Sequence, residues 1–313
     1  MDATLASIVA AAAPLVFAAV GETITERAGV VNLSLDGSIL LSAMSGFAIA
    51  STTDSVVLGF AAAAATSGLF ALIVAWSGIV LKMNQIAVGF VLTLLGASLS
   101  AFLGDPFVRQ PGPQVAARPI PVLEDIPLVG QALFGQNVSV YASLVLVVVA
   151  SLFLSRSRVG RELRAVGERP EAAHARGIAV NRYRYLATLA GGLLVGVGGA
   201  AFSLDQKAGW SEGVTAGFGW IALAIVIFGG WRPMRVALGC YLFGALQVVA
   251  LKLQPVFPGL SQILPSFPFP LMIFALVVVN SKTLRLLVAR WPRVGRFLVP
   301  VPPSALGTNF ATD

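Results

Sequence analysis

The stretch "VVLGFAAAAATSGLFALIVAWSGIVL", residues 56–81, runs without a single charged side chain. A helix of about 20 such residues crosses the hydrocarbon core of a bilayer. Similar runs occur at Thr4–Val20, Asn84–Gly104 and Val138–Ser155, and 57% of the whole chain is hydrophobic whereas 11% is charged. A membrane β-barrel would show apolar residues at every second position instead. The sequence therefore predicts an all-α, polytopic membrane helical bundle.

The apolar runs predict nine membrane spans joined by loops of unequal charge. The spans lie at about 4–20, 29–50, 56–81, 84–104, 138–155, 184–204, 216–231, 236–254 and 267–281. The loops on one side carry 17 of the 21 Lys and Arg residues, and the loops on the other side carry four. Basic residues collect on the cytoplasmic side of membrane proteins. We therefore expect the N-terminus outside the cell and the C-terminus inside, with the chain in the plasma (inner) membrane and the first span retained rather than cleaved.

Two loops of this single transmembrane domain, residues 1–300, are long enough to have structure of their own. Residues 105–137 form a predicted external loop, in which Pro111-Gly112-Pro113 argues against a long helix. Residues 156–183 form a predicted cytoplasmic loop with most of the arginines. The segment "VPPSALGTNFATD", residues 301–313, is predicted to be a flexible C-terminal tail.

The second predicted span contains polar residues that a simple membrane anchor would not need. Its sequence "AGVVNLSLDGSILLSA", residues 28–43, holds Asn32 and Asp36 four positions apart, on one helix face if the helix is continuous. An aspartate at the centre of a membrane helix costs about 2.5–3.5 kcal/mol and requires a partner or an aqueous cavity. In the alternative interpretation, Asp36 lies near the interface and caps the N-terminus of a half-helix. Either interpretation favours a broken span of the kind found in transporters.

A later segment has a pattern similar to that of the second span. Both "GVVNLSLDGSILLSA", residues 29–43, and "GVTAGFGWIALAI", residues 213–225, run from Gly-Val through small residues into an aliphatic helix. The two spans are predicted to cross the membrane in opposite directions, which suggests an inverted repeat with the solute pathway at its interface. In the sixth span, Gly192 and Gly196 predict close helix packing.

The sequence lacks the residue patterns that several kinds of chemistry require. There is no G-x-x-x-x-G-K-[ST] phosphate-binding loop and no H-E-x-x-H motif, and the chain has one His and one Cys. Cys240 can form no internal disulfide. Asp36 is nearly alone among the acidic residues of the predicted spans, which disfavours a proton-driven pump. The chain is predicted to be a transport subunit rather than an enzyme, to bind no cofactor or metal itself, and to bind no nucleic acid.

The polar stretch "GERPEAAHARGIAVNRYR", residues 167–184, predicts a short helix outside the membrane. Pro170 suits a first helical position, Glu171 and Arg176 complement the helix dipole, and Gly177 permits the end of the helix. Gly167 is expected to stop a preceding helical turn. A short alanine-faced helix of this kind suits docking into a groove of another protein. The alternative is a solvated loop that serves only to orient the spans.

Three motifs in order carry a resemblance to the permeases of ABC importers, in the simple-sugar and branched-chain amino acid permease family. They are "AGVVNLSLDGSILLSA", "AVGERPEAAHARGIAVNRYR" and "GFGWIALAIVIFGGWRP", and the resemblance covers about residues 20–280. The chain looks most like the second permease subunit of nucleoside importers. That branch commonly has Asn at the position of Arg169 and Glu at the position of Asp36.

The resemblance implies an importer subunit that is powered from outside the chain. A cytoplasmic ATPase would hold ATP and magnesium and grip the coupling segment, a homologous second permease would complete the pore, and an extracytoplasmic solute-binding (lipo)protein would deliver the solute. The candidate ATPase-coupling residues are Glu168, Glu171, Ala172, Ala173, Arg176 and Gly177. The candidate pathway residues are Asn32, Asp36, Asn84, Gln85 and Gly217, with a capping role as the alternative for Asn84 and Gln85.

Other functions are compatible with parts of the sequence. A stand-alone secondary transporter or channel would work without an ATPase, but it would need coupling acids that the predicted spans lack. A structural scaffold would leave the polar second span unexplained. Nucleosides are the favoured solutes and sugars come next, since the motifs are shared between these branches.

Overall fold

The chain folds into helices that run back and forth across one bundle. The computed structural model describes residues 2–121, 130–215, 217–260, 263–281 and 301–310. These residues form twelve α-helices and no β-strand, with two isolated bridges at Val108–Trp210 and Ala117–Asn137. The helices are α1 (Asp2–Arg27), α2 (Leu35–Thr53), α3 (Val56–Ile79), α4 (Gln85–Gly104), α5 (Gly130–Leu133), α6 (Val138–Arg156), α7 (Arg158–Glu168), α8 (Pro170–Ala175), α9 (Val180–Ala201), α10 (Phe218–Phe228), α11 (Pro233–Leu253) and α12 (Pro268–Asn280).

Seven helices of the described chain are long and apolar enough to cross a membrane. They are α1, α2, α3, α4, α6, α9 and α11. The prediction of about nine spans is therefore confirmed in part: the described residues contain seven helices of this kind, and within those residues the seventh and ninth predicted spans correspond to shorter helices. Helix α10, in the predicted span 216–231, has 11 residues and a length of about 16 Å, roughly half the hydrocarbon thickness. Helix α12, in the predicted span 267–281, has 13 residues.

Helix α9 packs against three other helices through its glycines. A Cβ atom on Gly196 would lie 2.2 Å from the carbonyl oxygen of Ala63 in α3, and one on Gly191 would lie 2.6 Å from the carbonyl oxygen of Gly21 in α1. A Cβ atom on Gly199 would lie 2.2 Å from the hydroxyl oxygen of Ser42 in α2. The glycines therefore let backbones approach each other closely, as small residues do at interfaces between membrane helices.

The second predicted span begins later than the sequence indicates. Helix α2 starts at Leu35, and residues 28–34 form a loop after α1, here called the α1–α2 loop. Asn32 and Asp36 therefore do not lie on one continuous helix face. The first helix extends to Arg27 instead of ending near residue 20, so Glu22 and Glu26 belong to it. The break expected in this part of the chain is present, but it lies before α2.

The two ends of the bundle are closed by different segments. At one end, the described part of the loop after α4 packs on α2, where a Cβ atom on Gly112 would lie 2.4 Å from the Phe47 ring. Residues 122–129 of that loop lie outside the described residues. Lys252 donates a hydrogen bond to the Thr4 hydroxyl, which joins two ends that were predicted to be external. At the opposite end, residues 301–310, here called the tail segment, pack against the body of the protein.

Replacing Gly196 with alanine is expected to destabilise the bundle. The added methyl group would overlap the Ala63 carbonyl oxygen, and overpacking of this kind costs about 1–3 kcal/mol, which exceeds the alanine helix-propensity gain of about 1 kcal/mol. Thermal unfolding of the purified protein in detergent measures the change. The matched control is Gly209→Ala, since the nearest atom to a Cβ there is 3.8 Å away. Equal unfolding temperatures for the two variants would contradict the packing role of Gly196.

Candidate coupling site and the polar cluster behind it

The predicted short helix of the cytoplasmic loop is present as α8, Pro170–Ala175. Pro170 occupies the first turn, Glu171 lies in that turn, and Gly177 follows the helix with φ of +79°. No atom lies within 4 Å of a Cβ placed on Gly177, so its positive φ, rather than crowding, favours glycine there. The preceding helix α7 passes through Gly167 and ends at Glu168, so Gly167 does not stop it as expected. A Cβ atom on Gly167 would instead lie 2.2 Å from the Arg27 carbonyl oxygen.

Helices α7 and α8 enclose an open groove of about 580 Å³. Its lining contains charged residues of both signs together with a few small or apolar residues. The lining residues are Arg161, Glu162, Ala165, Glu168, Arg169, Ala172, Ala173, Arg176 and Ile178. On the outer side of α7, Glu162 accepts hydrogen bonds from the Tyr183 hydroxyl and, at 2.9 Å, from Arg158. These two hydrogen bonds lower the pKa of Glu162, so its carboxylate stays charged at neutral pH.

Of the six predicted coupling residues, four are exposed and two are in contact with other parts of the protein. Glu171, Ala172, Arg176 and Gly177 are exposed on or directly after α8. Ala173 is only 3% exposed and packs with Val166 and Val180, so it supports α8 from below instead of offering a docking surface. Glu168 is half-buried and accepts a 3.0 Å hydrogen bond from the Ser304 hydroxyl. The sequence did not separate these groups because the burial of Ala173 depends on the distant Phe310.

The tail segment packs against α7 and α8, which differs from the expectation of a flexible tail over residues 301–313. The Ala305 N–H donates to the Gly167 carbonyl at 2.9 Å, and Phe310 is buried against α8 with its ring 5.6 Å from the His174 ring. Arg184, whose side chain is almost completely buried, donates to the Thr308 carbonyl at 2.8 Å. Residues 311–313 lie outside the described residues.

The tail segment also reaches the α1–α2 loop. The Gly307 N–H donates to the Gly29 carbonyl at 3.0 Å, and the Asn309 amide donates to the Lys82 carbonyl at 2.7 Å. One stretch of chain thus contacts α7, α8, the α1–α2 loop and the α3–α4 connection. The tail sequence gives little indication of this packing, because several of its partners on distant segments are backbone carbonyls, namely those of Gly167, Gly29 and Lys82.

Buried polar groups hold the α1–α2 loop behind this surface. The Asn32 N–H donates to Glu22 at 3.3 Å, the Val31 N–H donates to the Gln85 side chain at 2.9 Å, and the Thr93 hydroxyl donates to the Leu33 carbonyl at 2.7 Å. The Asn32 side chain turns inward and accepts from the Ser34 hydroxyl at 2.6 Å. Asn32 and Gln85 are therefore brought together as anchors of this loop.

Asp36 caps the N-terminus of α10. One of its carboxylate oxygens accepts 2.9 Å hydrogen bonds from the N–H groups of both Gly217 and Gly219. Gly217 has φ of +88°, and a Cβ atom on Gly219 would lie 2.2 Å from the Asp36 nitrogen. The two segments that resemble each other in sequence thus meet at their N-terminal ends. This geometry agrees with the capping interpretation of Asp36, whereas the inverted repeat stays a prediction.

Asn84 is separate from the other predicted pathway residues. It is exposed, and its side chain accepts hydrogen bonds from the N–H groups of Ile86 and Ala87 at 3.0 and 3.2 Å, as an N-cap does. Asn32, Asp36 and Gln85 are in contrast buried, with at most 8% of each residue exposed. They therefore lie in a closely packed region in this conformation.

Two buried acids in α1 were missed by the sequence analysis. Glu26 accepts a hydrogen bond from the Trp231 indole N–H, and Glu22 holds the Asn32 N–H as described above. Asp205, at the other end of the bundle, accepts from Asn137 and Ser139. The expectation that Asp36 is nearly alone in the spans is therefore wrong. The spacing of Glu22 and Glu26, four residues apart directly after an unbroken apolar run, is the signal that could have revealed the pair.

The sequence was compared with protein families, with curated proteins and with solved structures. Residues 4–276 match the family described as the permease component of the branched-chain amino acid transport system. A putative glucose ABC transporter permease of Haloferax volcanii is 41% identical over 254 residues, which cover 80% of this chain and 77% of the relative. No solved structure matches the chain.

Two bacterial relatives align over more of the chain. A nucleoside ABC transporter permease of Lactococcus lactis subsp. cremoris is 32% identical over 87% of this chain and 90% of its own length. A guanosine ABC transporter permease of Bacillus subtilis is 29% identical over 85% of this chain and 88% of its own length. The chain is therefore a multi-pass membrane protein and a transport subunit rather than an enzyme. It belongs to the family of permease components of the branched-chain amino acid transport system.

Proposed function

We propose that this permease carries solutes built on a sugar ring, namely nucleosides or a monosaccharide, through an importer that a separate ATPase drives. The observation that carries the proposal is the exposed helix α8 beside its charged groove, on a chain whose relatives include nucleoside and glucose ABC permeases. An ABC permease works with an ATPase and a solute-binding protein. In this proposal ATP and magnesium are bound by the ATPase, and a homologous second permease completes the pathway.

The nucleoside and sugar assignments draw support from different relatives. The motif resemblance and the permeases of L. lactis and B. subtilis favour nucleosides. The H. volcanii relative, which has the higher identity, favours glucose.

Our proposed mechanism passes force from α8 to the α1–α2 loop. Closure of the ATPase pair would move α8, which packs against Phe310 of the tail segment. Backbone hydrogen bonds join the tail segment to Gly167 of α7 and to Gly29. The loop continues into Asn32 and α2, and Asp36 joins α2 to α10. A shift at α8 would thus reach the junction of the two helices. The ATPase must contact the two states differently for such a shift to be driven.

Replacing Ala172 with arginine is expected to block docking of the ATPase while leaving insertion into the membrane unchanged. Ala172 is exposed and lines the groove, so a long side chain there would occupy the space of the partner. Loss of a central interface contact costs about 2 kcal/mol or more, and we expect uptake to fall at least about 30-fold. The assay is ATP-dependent uptake of a labelled nucleoside and, in parallel, of labelled glucose by the reconstituted transporter.

The control for this variant is Ala179→Arg, which changes another exposed alanine outside the groove. Uptake by Ala172→Arg at the wild-type rate would contradict docking at α8. Vigorous uptake by the chain without any ATPase would instead support a secondary transporter or channel. The solute that enters in an ATP-dependent manner decides between the nucleoside and sugar assignments.

Asp36→Ala is expected to impair transport much more than Asp36→Asn. Asparagine keeps a side-chain oxygen that can accept from Gly217 and Gly219, whereas alanine leaves both N–H groups without that acceptor. Loss of an N-cap costs about 1–2 kcal/mol, which lowers the amount of active transporter. Uptake per inserted molecule is the measurement. Equal loss in both variants would show that the negative charge, not the cap, is required.

Deleting residues 304–313 is expected to uncouple the transporter. The deletion removes every described contact of the tail segment with α7, α8 and the α1–α2 loop except those of residues 301–303, so ATP hydrolysis should continue while uptake per ATP falls several-fold. The matched control is deletion of residues 311–313 alone, and Phe310→Ala should give an intermediate ratio because it removes only the contacts around His174 and Ala173. A wild-type ratio of uptake to hydrolysis in the longer deletion would refute the proposed role of the tail segment.

A further inference from the structure

A pocket of about 620 Å³ lies beside the coupling site, between the C-terminal end of α6, helix α7 and the turn that joins α10 to α11. It is separate from the groove between α7 and α8. Four of its described lining residues are arginines: Arg27, Arg164, Arg232 and Arg235. This pocket is here called the arginine pocket.

The charges around the arginine pocket are of one sign. Its described lining contains no acidic residue, whereas the groove between α7 and α8 contains Glu162 and Glu168 beside its arginines. Among the described residues, two carboxylates contact the lining: Glu168 lies 3.9 Å from the Arg27 guanidinium, and Glu26 accepts a hydrogen bond from the Trp231 indole N–H. Arg27, Arg164 and Arg232 carry like charges around one cavity, and an anion placed between them would relieve their repulsion.

The backbone of the α10–α11 turn fixes two of the arginines in place. Arg27 donates to the carbonyl oxygens of Trp231 at 2.9 Å and Gly230 at 3.4 Å. Gly230 and Trp231 both have positive φ, 62° and 55°, so the turn is held in an uncommon conformation. Arg232, which follows directly, is exposed at the rim of the pocket. The position of the Arg27 charge is therefore built into the fold, and the turn sets where the Arg232 backbone lies.

Two buried polar atoms of the pocket lining have no hydrogen-bond partner. They are the Nε atom of Arg164 and the Oγ atom of Ser151. A buried donor without a partner is destabilising, and such groups in folded proteins generally have a partner. Because both atoms are buried, a ligand in the open pocket would reach them only after a shift of the lining side chains.

The pocket also borders surfaces that suit lipid chains. Met234 lines it and is 56% exposed, and α11 exposes Leu238 one turn further along. On the other wall, α6 exposes Leu152 and Val148. These apolar faces belong to two helices long enough to cross the membrane, and they lead away from the arginines along the helix axes. The charged part of the pocket lies at the ends of these helices, on the side of the coupling loop.

We propose that the arginine pocket binds the headgroup of an anionic phospholipid from the cytoplasmic leaflet, with its acyl chains along α6 and α11. Arginine side chains recognise phosphate oxygens in bidentate geometry, and basic pockets between membrane helices on the cytoplasmic side bind anionic headgroups. A free phosphate or nucleotide shares the phosphoryl chemistry, but it would leave Met234 and Leu238 uncovered. The exposed apolar walls favour the lipid.

The test uses the assembled transporter with the full chain, reconstituted in nanodiscs that contain equal amounts of phosphatidylglycerol and phosphatidylcholine. Native mass spectrometry after release into detergent counts the lipids that stay bound. We expect retained phosphatidylglycerol to exceed phosphatidylcholine. Arg232→Gln should lower this retention about five-fold, the effect of one basic residue near an anionic lipid surface. Arg232 is exposed, so this variant is expected to fold normally.

A second variant and two controls distinguish specific binding in the arginine pocket from unspecific attraction of the lipid to basic residues. Ser151→Leu keeps all four arginines but narrows the pocket, and it should also lower the retention of phosphatidylglycerol. Arg161→Gln and Arg176→Gln remove arginines from the groove between α7 and α8 and should leave the retention unchanged. Equal losses in all four variants would overturn the proposal, because they would indicate unspecific attraction.

Two competition experiments decide what occupies the pocket. Millimolar ATP or inorganic phosphate should not displace the retained phosphatidylglycerol, since neither covers the apolar walls. Displacement by either compound would overturn the lipid assignment in favour of a soluble phosphate. Retention that is lost when the ATPase is bound and regained when it is removed would also overturn it, because the pocket would then be part of the protein interface.

Discussion

The architecture depends on one carboxylate that completes a helix inside the membrane-embedded bundle. In a hydrocarbon environment every backbone N–H must find an acceptor within the protein, and broken helices survive only where this is achieved. Helix α10 begins within the bundle, and the N–H groups of Gly217 and Gly219 at its start would lose their acceptor without Asp36. The same residue stands in the first turn of α2, after the loop that Glu22, Gln85 and Thr93 hold. Asp36 therefore stabilises the junction of two helices whose sequences resemble each other.

The coupling surface is assembled from parts far apart in sequence. Helix α8 provides the exposed residues, but its position depends on Ala173, Val166 and Val180 below it and on Phe310 from the tail segment. The tail segment in turn bonds to Gly29 in the loop that leads to Asp36. The surface proposed to meet the ATPase and the buried polar cluster are thus joined by a chain of direct contacts.

The sequence was sufficient for some of these features and insufficient for others, for physical reasons. Long uncharged runs predicted the helical membrane class, and Pro170, Glu171 and Gly177 predicted α8, because these signals are local. The start of α2 and the length of α10 were not predictable, since the polar groups that allow each break come from other helices: Glu22 and Gln85 for α2, and Asp36 for α10. The packed tail segment was missed because it is held mainly by backbone carbonyls, which every residue possesses. Ala173 was assigned to the exposed face since nothing near it in sequence shows what covers it.

The meeting of α2 and α10 has an electrostatic consequence. Each helix brings a partial charge of about +0.5 to its N-terminal end, and both ends meet at the single negative charge of Asp36. The sum is close to zero, so the junction is nearly electroneutral although it consists of strongly polar groups. The net field at the junction is therefore weak, and small anions lose the attraction that bare helix ends exert on them.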